Sequence, residues 1–275
     1  MSFQTRRRAE VEYHVSDVLE HGQIHHGFST RLGGVSEGFH ASLNLRSHGP
    51  DPDSRENVLE NYRRFCGAVG GDVENLVQSK QVHEDTVRHV TSADRGKGLF
   101  AATDFTADAL VTDEENLDLM VFSADCIILL LHDPVTRSIG AVHAGWRGTA
   151  LDLPAKAVRE MGRLFGAKPG DIRVAIGAGI GPCCFETHGD VPDAMRSAFG
   201  TGVEAFIAPR GRKWTVDLKE INAWRLRGAG VREENIDICE TCTACNPKLY
   251  WSHRVTGDRR GVQGALIGLN GEARG

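Results

Sequence analysis

Three hydrophobic segments near the middle of the chain have the pattern of buried β-strands. Residues 117–122 and 127–131 are mostly apolar, and residues 138–143 form a third short run rich in aliphatic side chains. Strands that are covered on both faces show such runs, whereas half-exposed strands alternate apolar and polar positions. Residues 123–125, between the first two runs, predict a bend. The centre of the chain is therefore expected to form a buried sheet.

Periodic apolar positions predict two longer helices. The first is expected over 53–69, where Asp53 or Ser54 can cap the first turn. Its apolar face comprises Val58, Tyr62, Phe65 and Val69. The second is expected over 149–165, with Pro154 near its first turn, because proline is tolerated only there. Its inward face comprises Leu151, Ala155, Val158 and Met161 or Leu164.

The remaining predicted elements are strands over 172–176, 236–239 and 262–269 and helices over 191–199 and 217–226. Strands and helices do not alternate strictly, so we expect an α+β fold and not a doubly wound sheet. No repeat, low-complexity segment or linker-like stretch divides the 275 residues. This length can bury a sizeable core. We therefore expect a single compact domain.

The amino-acid composition limits the classes of protein and the partners that are expected. The chain is 40% hydrophobic and 25% charged, which is ordinary for a globular protein. Its net charge of −5 argues against nucleic acid as the default partner, because phosphate backbones select basic surfaces. The N-terminus lacks the apolar stretch of a signal peptide. The longest central apolar run, 126–131, is too short to span a bilayer, so no membrane partner is expected.

The cysteine count indicates a reducing compartment. Seven cysteines is an odd number, and the chain shows no secretory signal. Free thiols are therefore favoured over a disulfide framework, and the cytoplasm is the simplest location.

Three residues in separate segments have the ligand types of a catalytic zinc site. They are His83, Cys126 and His143, each near an expected strand end. Two imidazoles and one thiolate are a zinc ligand set, and three protein ligands leave a fourth position for water or substrate. The chain has no zinc-finger array, that is, neither two separate Cys-x-x-Cys motifs nor a Cys-x-x-Cys followed by a His-x-x-x-His, so a zinc finger is not indicated.

The sequence around these residues resembles the YfiH/YlmD/LACC1 family, whose members were formerly described as polyphenol oxidases or laccases. Matching segments occur in order along the chain: STRLGGVS (29–36), SLNL (42–45), QVH (81–83), ADALVT (107–112), SADC (123–126), HAGWRG (143–148), GPCCFE (181–186), CT (242–243) and WSHR (251–254). The resemblance covers about 24–270 and leaves 1–23 as an N-terminal extension. The family's C-terminal pattern of aromatic-Ser-Tyr/His-Arg is met with one mild departure.

The resemblance implies a fold and an activity. The fold would be one domain with a mixed β-sandwich core flanked by helices. The activity would be zinc-dependent phosphorolysis of adenosine, inosine, guanosine and methylthioadenosine to the free base and ribose-1-phosphate, together with adenosine deamination. The expected partners are a purine nucleoside and phosphate. The preferred nucleoside and the oligomeric state stay open.

Several polar residues are candidates for binding the substrates. Arg31, in a glycine-bounded loop, is the first choice for phosphate, because a guanidinium matches phosphate oxygens. Arg147, with the amides of a following helix, is a second anion site or else a structural arginine. Asn44 either hydrogen-bonds ribose or base, or closes an Asx turn. His253, with Arg254, is expected to border the pocket.

Two acidic residues near the ligands have alternative roles. Asp125 either orients a ligand histidine or acts as a general acid towards the purine. Asp108 either has the same orienting role or caps a strand end, and we favour the cap.

The other cysteines and a glycine-rich loop carry weaker signals. Residues 177–182 superficially resemble a dinucleotide-binding turn, but Pro182 and two cysteines follow where a helix should run. Cys183 and Cys184 are interpreted as packing residues. Cys239, Cys242 and Cys245 are three apart but lack a fourth partner, so reduced thiols are favoured over a second metal site.

Three other functions compete with the phosphorylase interpretation. A copper-dependent polyphenol oxidase would need His-x-His motifs, and the 12 histidines include none. Copper can still occupy a Cys/His site in vitro. A metal-free cysteine hydrolase would use Cys126 with His83 or His143 as base. A zinc-binding interaction module would leave the open ligand position without a purpose.

Overall fold

The computed structural model describes residues 2–20, 22–46, 49 and 51–271. Within them lie fifteen β-strands and six α-helices. The strands are β1 (Phe3–Arg8), β2 (Val11–Ser16), β3 (Ile24–Ser29), β4 (Leu76–Gln78), β5 (Val87–His89), β6 (Ala109–Thr112), β7 (Asp118–Ser123), β8 (Ile127–Asp133), β9 (Ser138–Ala144), β10 (Arg173–Ile176), β11 (Glu186–Thr187), β12 (Ile207–Arg210), β13 (Lys213–Val216), β14 (Ile236–Ile238) and β15 (Gln263–Leu269). The helices are α1 (Arg55–Val69), α2 (Trp146–Ala150), α3 (Leu153–Phe165), α4 (Asp190–Phe199), α5 (Leu218–Gly228) and α6 (His253–Thr256).

The strands form two large sheets and one small one. The first large sheet has six strands in the order β1-β2-β3-β15-β7-β4, and the second has six in the order β14-β10-β8-β9-β6-β5. The small sheet has the order β11-β13-β12. Both large sheets are mixed, because β4 is parallel to β7, β5 to β6 and β10 to β14 while the other pairs are antiparallel.

The two large sheets pack face to face, and this packing explains why β8 is apolar over residues 127–131. Ile128 and Leu130 pack in a core that also contains Val121 of the first sheet. Ile127 and Leu129 point the other way, into a core that the helices cover. Because successive side chains of a strand point to opposite faces, a strand buried on both faces has no polar alternation.

Helices cover the outer faces of both sheets. The core on the outer side of the second sheet contains residues of α3, α4 and α5. On the first sheet, Tyr62 and Phe65 of α1 pack with Met120 of β7 and Leu266 of β15. The expected α+β domain, a mixed β-sandwich core flanked by helices, is confirmed.

Helix α1 begins and ends as the sequence predicts. The Ser54 side chain accepts a hydrogen bond from the Asn57 N–H at 3.1 Å, which satisfies a free donor of the first turn. The helix ends at Gly70, which has a φ of 100°. Glycine adopts this left-handed conformation without a steric penalty.

The single helix expected over 149–165 is wrong, because the structure has two helices there. Helix α2 ends at Ala150, and Asp152 has a φ of 60° before α3 begins. Pro154 lies in the first turn of α3, where its missing N–H needs no partner; inside a continuous helix it would remove a hydrogen bond. Leu151, expected to face inward, lies at this break and is 41% exposed.

Residues before position 24 contribute to the first sheet. Strands β1 and β2 form an antiparallel pair, and β2 continues the pairing to β3. Val11, Tyr13 and Val15 are buried against α1. The domain boundary at residue 24 stays a prediction. Within the described part of the chain, no helix combines the length and apolar character needed to cross a membrane.

Candidate metal centre and adjoining cavity

The fold brings the three predicted ligands together from separate segments. His83 lies between β4 and β5, and Cys126 lies between β7 and β8, so both are in connections from the first large sheet to the second. His143 is in β9, where it pairs with Ile128 of β8. Because β8 and β9 are neighbours, the sheet itself places His143 beside Cys126.

The three side chains are close enough to share one ion. The Cys126 Sγ lies 4.0 Å from the His83 Nε2. The rings of His83 and His143 meet edge to face, with 4.9 Å between their centroids. One ligand atom from each residue lies within 4.8 Å of the other two.

Asp108 connects two of the ligand segments. Its buried carboxylate accepts a hydrogen bond from the His143 Nδ1 at 2.8 Å. It also accepts from the backbone N–H groups of Val82 and His83 at 3.1 Å and of Glu84 at 2.9 Å. One carboxylate therefore both orients the His143 ring and holds the loop of His83. With Nδ1 engaged, the Nε2 of His143 is left for a metal.

Two further contacts fix the ligands. The Gln81 side chain exchanges two hydrogen bonds with the backbone of Phe122, of 2.9 and 2.8 Å, which anchors the loop that precedes His83. Gly145 lies against the thiol, and a Cβ at this position would be 2.9 Å from the Cys126 Sγ and 3.2 Å from a carbon of the His83 ring. The site therefore requires glycine at 145 for space.

Charge interactions favour an ionised Cys126 beside a charged His143, and binding of a metal would release the proton of His143. Burial disfavours an ionised Cys126, but the charge and hydrogen bond of His143 and the hydrogen bond of His83 outweigh it and lower the pKa of Cys126 to about 6. Burial also disfavours a charged His143, yet Cys126 and Asp108 raise its pKa to about 9. Burial opposes ionisation of Asp108, but the hydrogen bonds from His143 and Glu84 keep its pKa below the ordinary value. Cys126 is thus mainly a thiolate at neutral pH.

The ligand set fits a zinc ion. Tetrahedral zinc with Zn–N of about 2.0 Å and Zn–S of about 2.3 Å places its ligand atoms roughly 3.5 Å apart. The separations of 4.0 Å and of at most 4.8 Å are close to this value. A small inward movement of the side chains would complete the site. Three protein ligands leave a fourth position, which faces a cavity.

That cavity has a volume of about 450 Å³ and a mixed polar and apolar wall. His83, Cys126 and His143 all line it. Its other lining residues are Leu45, Arg46, Tyr62, Gln78, Ser79, Lys80, Gln81, Gly98, Thr103, Phe122, Ser123, Ala124, Arg260 and Val262. Pockets of this size and composition bind small organic molecules.

The two arginines predicted for phosphate do not line this cavity. Arg31 donates to the carbonyl oxygens of Ala41 and Pro247, and its guanidinium lies 3.8 Å from the centroid of Trp251. Arg147 is exposed and stacks on its neighbour Trp146 at 4.3 Å. Both guanidiniums have partners within the protein.

Asn44 and His253 are not among the cavity-lining residues, but each forms a hydrogen bond with a residue that is. The buried Asn44 side chain accepts from the N–H of Arg46 at 2.9 Å and of Val262 at 3.3 Å, and both of these residues line the cavity. The first contact is the Asx turn that the sequence suggested. His253 is exposed, and its Nδ1 accepts from the Nε of Arg260 at 3.4 Å.

Asp125 contacts none of the three ligand side chains in the described structure. Its carboxylate accepts from the hydroxyls of Thr243 at 2.6 Å and Ser252 at 3.0 Å and from the N–H of Arg254 at 2.7 Å. The orienting contact to His143 comes from Asp108 instead. Asp125 therefore ties the segment before Cys126 to two C-terminal loops.

Sequence reasoning missed most polar residues of the cavity wall, and three of them matter for the chemistry. They are Arg46, Gln78 and Arg260. Arg46 and Arg260 are far apart in the sequence and carry no motif that links them, so only the fold could join them. Gln78 precedes the QVH motif, and its position at the end of β4 was the one available signal.

The cysteines group differently from the expectation. Cys183 and Cys184, which were interpreted as packing residues, lie beside Cys242 and Cys245, with all four sulfur atoms within 4.8 Å of one another. Cys239 is buried outside this cluster. The partners that the Cys-x-x-Cys pair lacked in sequence come from the 181–186 segment.

Comparisons with known proteins agree with the fold and the motifs. The model of the family described as multi-copper polyphenol oxidoreductase laccase matches residues 25–270. A protein of Geobacillus stearothermophilus named purine nucleoside phosphorylase YlmD is 36% identical over 89% of this chain and 89% of its own length. The protein of the same name from Bacillus subtilis is 32% identical over 88% of this chain and 87% of its own length.

The chain belongs to the YfiH/YlmD/LACC1 family. A solved YfiH structure, the hypothetical protein YfiH of Bacillus licheniformis, superposes with a TM-score of 0.89 at 32% identity and covers 97% of this chain and 99% of that one. The chain thus has the family's fold from near its first residue to near its last.

Proposed function

We propose that this YfiH/YlmD/LACC1 family member is a zinc-dependent purine nucleoside phosphorylase. It would convert adenosine, inosine, guanosine and methylthioadenosine with phosphate to the free base and ribose-1-phosphate, and it would also deaminate adenosine. The observation that carries the proposal is the three-ligand cluster in the wall of a cavity that also holds two arginines. The names of the relatives from Bacillus and Geobacillus support the substrate class.

His83, Cys126 and His143 would hold the zinc, with Asp108 orienting His143. When bound, the ion supplies a Lewis acid at the cavity wall. A thiolate among the ligands is typical of zinc and copper sites, so copper is expected to bind in vitro as well. Three ligands from three segments leave one face of the site open to the cavity.

Arg46 and Arg260 would hold the phosphate. Both residues line the cavity, and burial together with repulsion by Arg46 lowers the pKa of Arg260. A bound dianion would relieve this repulsion, and two guanidiniums offer several donors to its oxygens. Lys80 adds a third cation to the same wall.

The aromatic part of the cavity lining suits a purine and its ribose. Tyr62 and Phe122 lie edge to face with 6.2 Å between their centroids and provide apolar contact area. The buried Nε2 of Gln78 has no hydrogen-bond partner among the described residues. A buried donor without a partner is costly, so we assign Gln78 to a polar atom of the nucleoside.

The reaction divides between these groups. Phosphorolysis breaks the bond between C1′ of the ribose and the purine nitrogen while a phosphate oxygen attacks C1′, and the proton that the phosphate loses ends on the departing purine. Arg46 and Arg260 would position the phosphate, and Gln78 would orient the nucleoside. Asp125, whose oxygens are already hydrogen-bonded, would act by positioning the Cys126 segment. Arg31 and Arg147 would have structural roles.

The proposal is tested with zinc-loaded, copper-free protein, inosine and phosphate, following hypoxanthine and ribose-1-phosphate by chromatography. We expect phosphate-dependent product that is lost in Cys126→Ala. Arg260→Gln should raise the KM for phosphate, whereas Arg259→Gln, which changes an exposed arginine stacked on Phe39, should not. No product from any purine nucleoside, with zinc shown to be bound, would refute the proposal.

Further assays on the same protein distinguish two alternative functions from the proposed one. The description of the family model names a polyphenol oxidoreductase, so copper-loaded protein is assayed with a phenol in parallel. A cysteine hydrolase would stay active after chelation, whereas the proposed enzyme would not. All seven cysteines are free thiols, which favours a reducing compartment, and we place the reaction in the cytoplasm.

A further inference from the structure

Four cysteines form a second cluster of thiols, separate from the candidate metal centre. Cys183 and Cys184 lie in a turn after β10, and Cys242 and Cys245 lie in a turn after β14. The Cys245 Sγ is 3.5 Å from the Cys183 Sγ and 3.4 Å from the Cys184 Sγ. All four sulfur atoms lie within 4.8 Å of one another.

Backbone pairing holds the two turns in register. Gly179 and Cys242 form a parallel bridge, and the Thr243 N–H donates to the Gly179 carbonyl at 3.1 Å. The Gly181 N–H donates to the Cys242 Sγ at 3.2 Å. The cluster is therefore built into neighbouring backbone segments that continue the parallel pair β10–β14. The backbone, and not the side-chain rotamers alone, sets the positions of the four sulfur atoms.

We propose that Cys183, Cys184, Cys242 and Cys245 bind a second zinc ion as a closed tetrathiolate site. With Zn–S bonds of about 2.3 Å, a tetrahedral site places its sulfurs about 3.8 Å apart. The distances of 3.5 and 3.4 Å from the Cys245 sulfur are slightly shorter than this value, and none of the separations exceeds 4.8 Å. Four thiolates fill the coordination shell, so the site is structural and leaves no position for a substrate.

The surrounding charges fit such a site. A zinc ion with four thiolates carries a net charge of −2. The guanidinium of Arg210 donates to the Cys183 carbonyl at 3.0 Å, and that of Arg254 donates to the Cys184 carbonyl at 2.8 Å. These two arginines, of which Arg210 also pairs with Glu186 at 3.5 Å, place positive charge beside the cluster, where it would offset the excess negative charge of the site.

The proposed tetrathiolate site would also stabilise the candidate centre at Cys126 through the residues between them. Thr243, next to Cys242, donates its hydroxyl to Asp125 at 2.6 Å, and the Arg254 N–H donates to the same carboxylate at 2.7 Å. Asp125 directly precedes the ligand Cys126. A metal that fixes the 242–245 turn would therefore also fix the segment that presents the Cys126 thiolate.

The test counts zinc per chain after loading with zinc alone in a reducing buffer and gel filtration. The intact protein should hold two zinc ions per chain, Cys126→Ala one, Cys245→Ser one, and the double variant none. Cys239→Ser is the matched control, because Cys239 is a buried thiol three residues before Cys242 and outside the cluster. It should retain both ions.

The Cys126→Ala protein also tests the proposal without touching the cluster. Loaded with Co²⁺, it should show the charge-transfer absorption of four thiolates, and its exposed Cys183 and Cys245 should react with a thiol reagent only after chelation. Absence of bound metal in Cys126→Ala, with these thiols freely reactive, would overturn the proposal. A disulfide within the cluster in the zinc-loaded protein would overturn it equally.

Discussion

Two residues that are not ligands position the side chains of the candidate centre. Asp108 gives one carboxylate to two ligand segments, and Gly145 leaves the space that the Cys126 sulfur occupies. Neither residue is itself a ligand. Both control where His83, Cys126 and His143 stand, so their substitution should change metal binding more than folding.

Replacing Gly145 by alanine should weaken zinc binding. The new Cβ would stand 2.9 Å from the Cys126 Sγ, and overpacking of this kind costs about 1–3 kcal/mol. Since about 1.4 kcal/mol is a factor of ten, zinc affinity should fall roughly 10-fold or more in competition with a chelator. Gly148→Ala is the control, because its Cβ would meet no atom closer than 3.5 Å. Equal affinities of the two variants would contradict the assignment.

Replacing Asp108 by asparagine should also weaken zinc binding, for an electrostatic reason. The neutral amide lacks the negative charge that raises the basicity of His143. The same charge accepts hydrogen bonds from three backbone N–H groups of the His83 loop. Loss of such a partner typically lowers metal affinity about 10–100-fold. Asp104→Asn, which changes an exposed carboxylate paired with Lys97, is the control. Unchanged affinity in Asp108→Asn would show that the carboxylate serves the loop alone.

The sequence allowed the three clustered residues to be predicted, but not the arginines of the cavity lining. Two histidines and a cysteine form a recognisable ligand set, and the family motifs around them select these three from 12 histidines and seven cysteines. Arginines carry no such signal. Arg31 was favoured because of its glycine-rich loop, yet carbonyl oxygens and Trp251 engage it. Arg46 and Arg260 meet only through the fold.

At the scale of elements, the segments buried on both faces were the easiest to predict. The expected strands at 127–131 and 138–143 correspond to β8 and β9 within one or two residues, because both strands are fully buried and mostly apolar. The β1–β2 hairpin and the small sheet were not predicted. Arg6–Arg8 and most of β12 are exposed, so their polar residues give no apolar period.

One ion pair across the first sheet predicts a pH-dependent stability. Within the order β3-β15-β7, His25 of β3 reaches over Gly268 of β15 to Asp118 of β7, at 2.9 Å. The glycine is necessary, because a Cβ there would lie 2.0 Å from the carboxylate. Burial disfavours the charged imidazole, but Asp118 outweighs burial and raises the pKa of His25.

A raised histidine pKa stabilises the fold below the unfolded value of about 6.5, and this contribution is lost as pH rises through the folded value. We therefore expect the wild type to have a higher free energy of unfolding in urea than His25→Gln. This difference should be larger at pH 6 than at pH 9. Hydrogen bonds to charged groups contribute about 1.5–3 kcal/mol, which bounds the difference. His188→Gln, an exposed histidine, is the control. An equal difference at both pH values would contradict the charged pair.

For the whole molecule, the candidate centre links the two halves of the sandwich. His83 and Cys126 lie in the connections that pass from the first large sheet to the second, and His143 belongs to the second. The unfolded chain separates these ligands widely, so it cannot bind zinc in the same way. Binding of a metal at this centre would therefore be coupled to the packing of the sheets.

This coupling predicts that zinc raises the melting temperature through Cys126. A ligand at about 100 times its Kd that binds only the native state adds about 2.7 kcal/mol. For a domain of this size, that corresponds to roughly 5–10 °C. The shift is measured by calorimetry as the zinc-induced rise in wild type minus the rise in Cys126→Ala, so that zinc bound by other thiols cancels. Mg²⁺, which prefers oxygen ligands, should cause no shift. If zinc raised both melting temperatures equally, the three ligands would not form a native metal site, and the link between the sheets would rest on their apolar core alone.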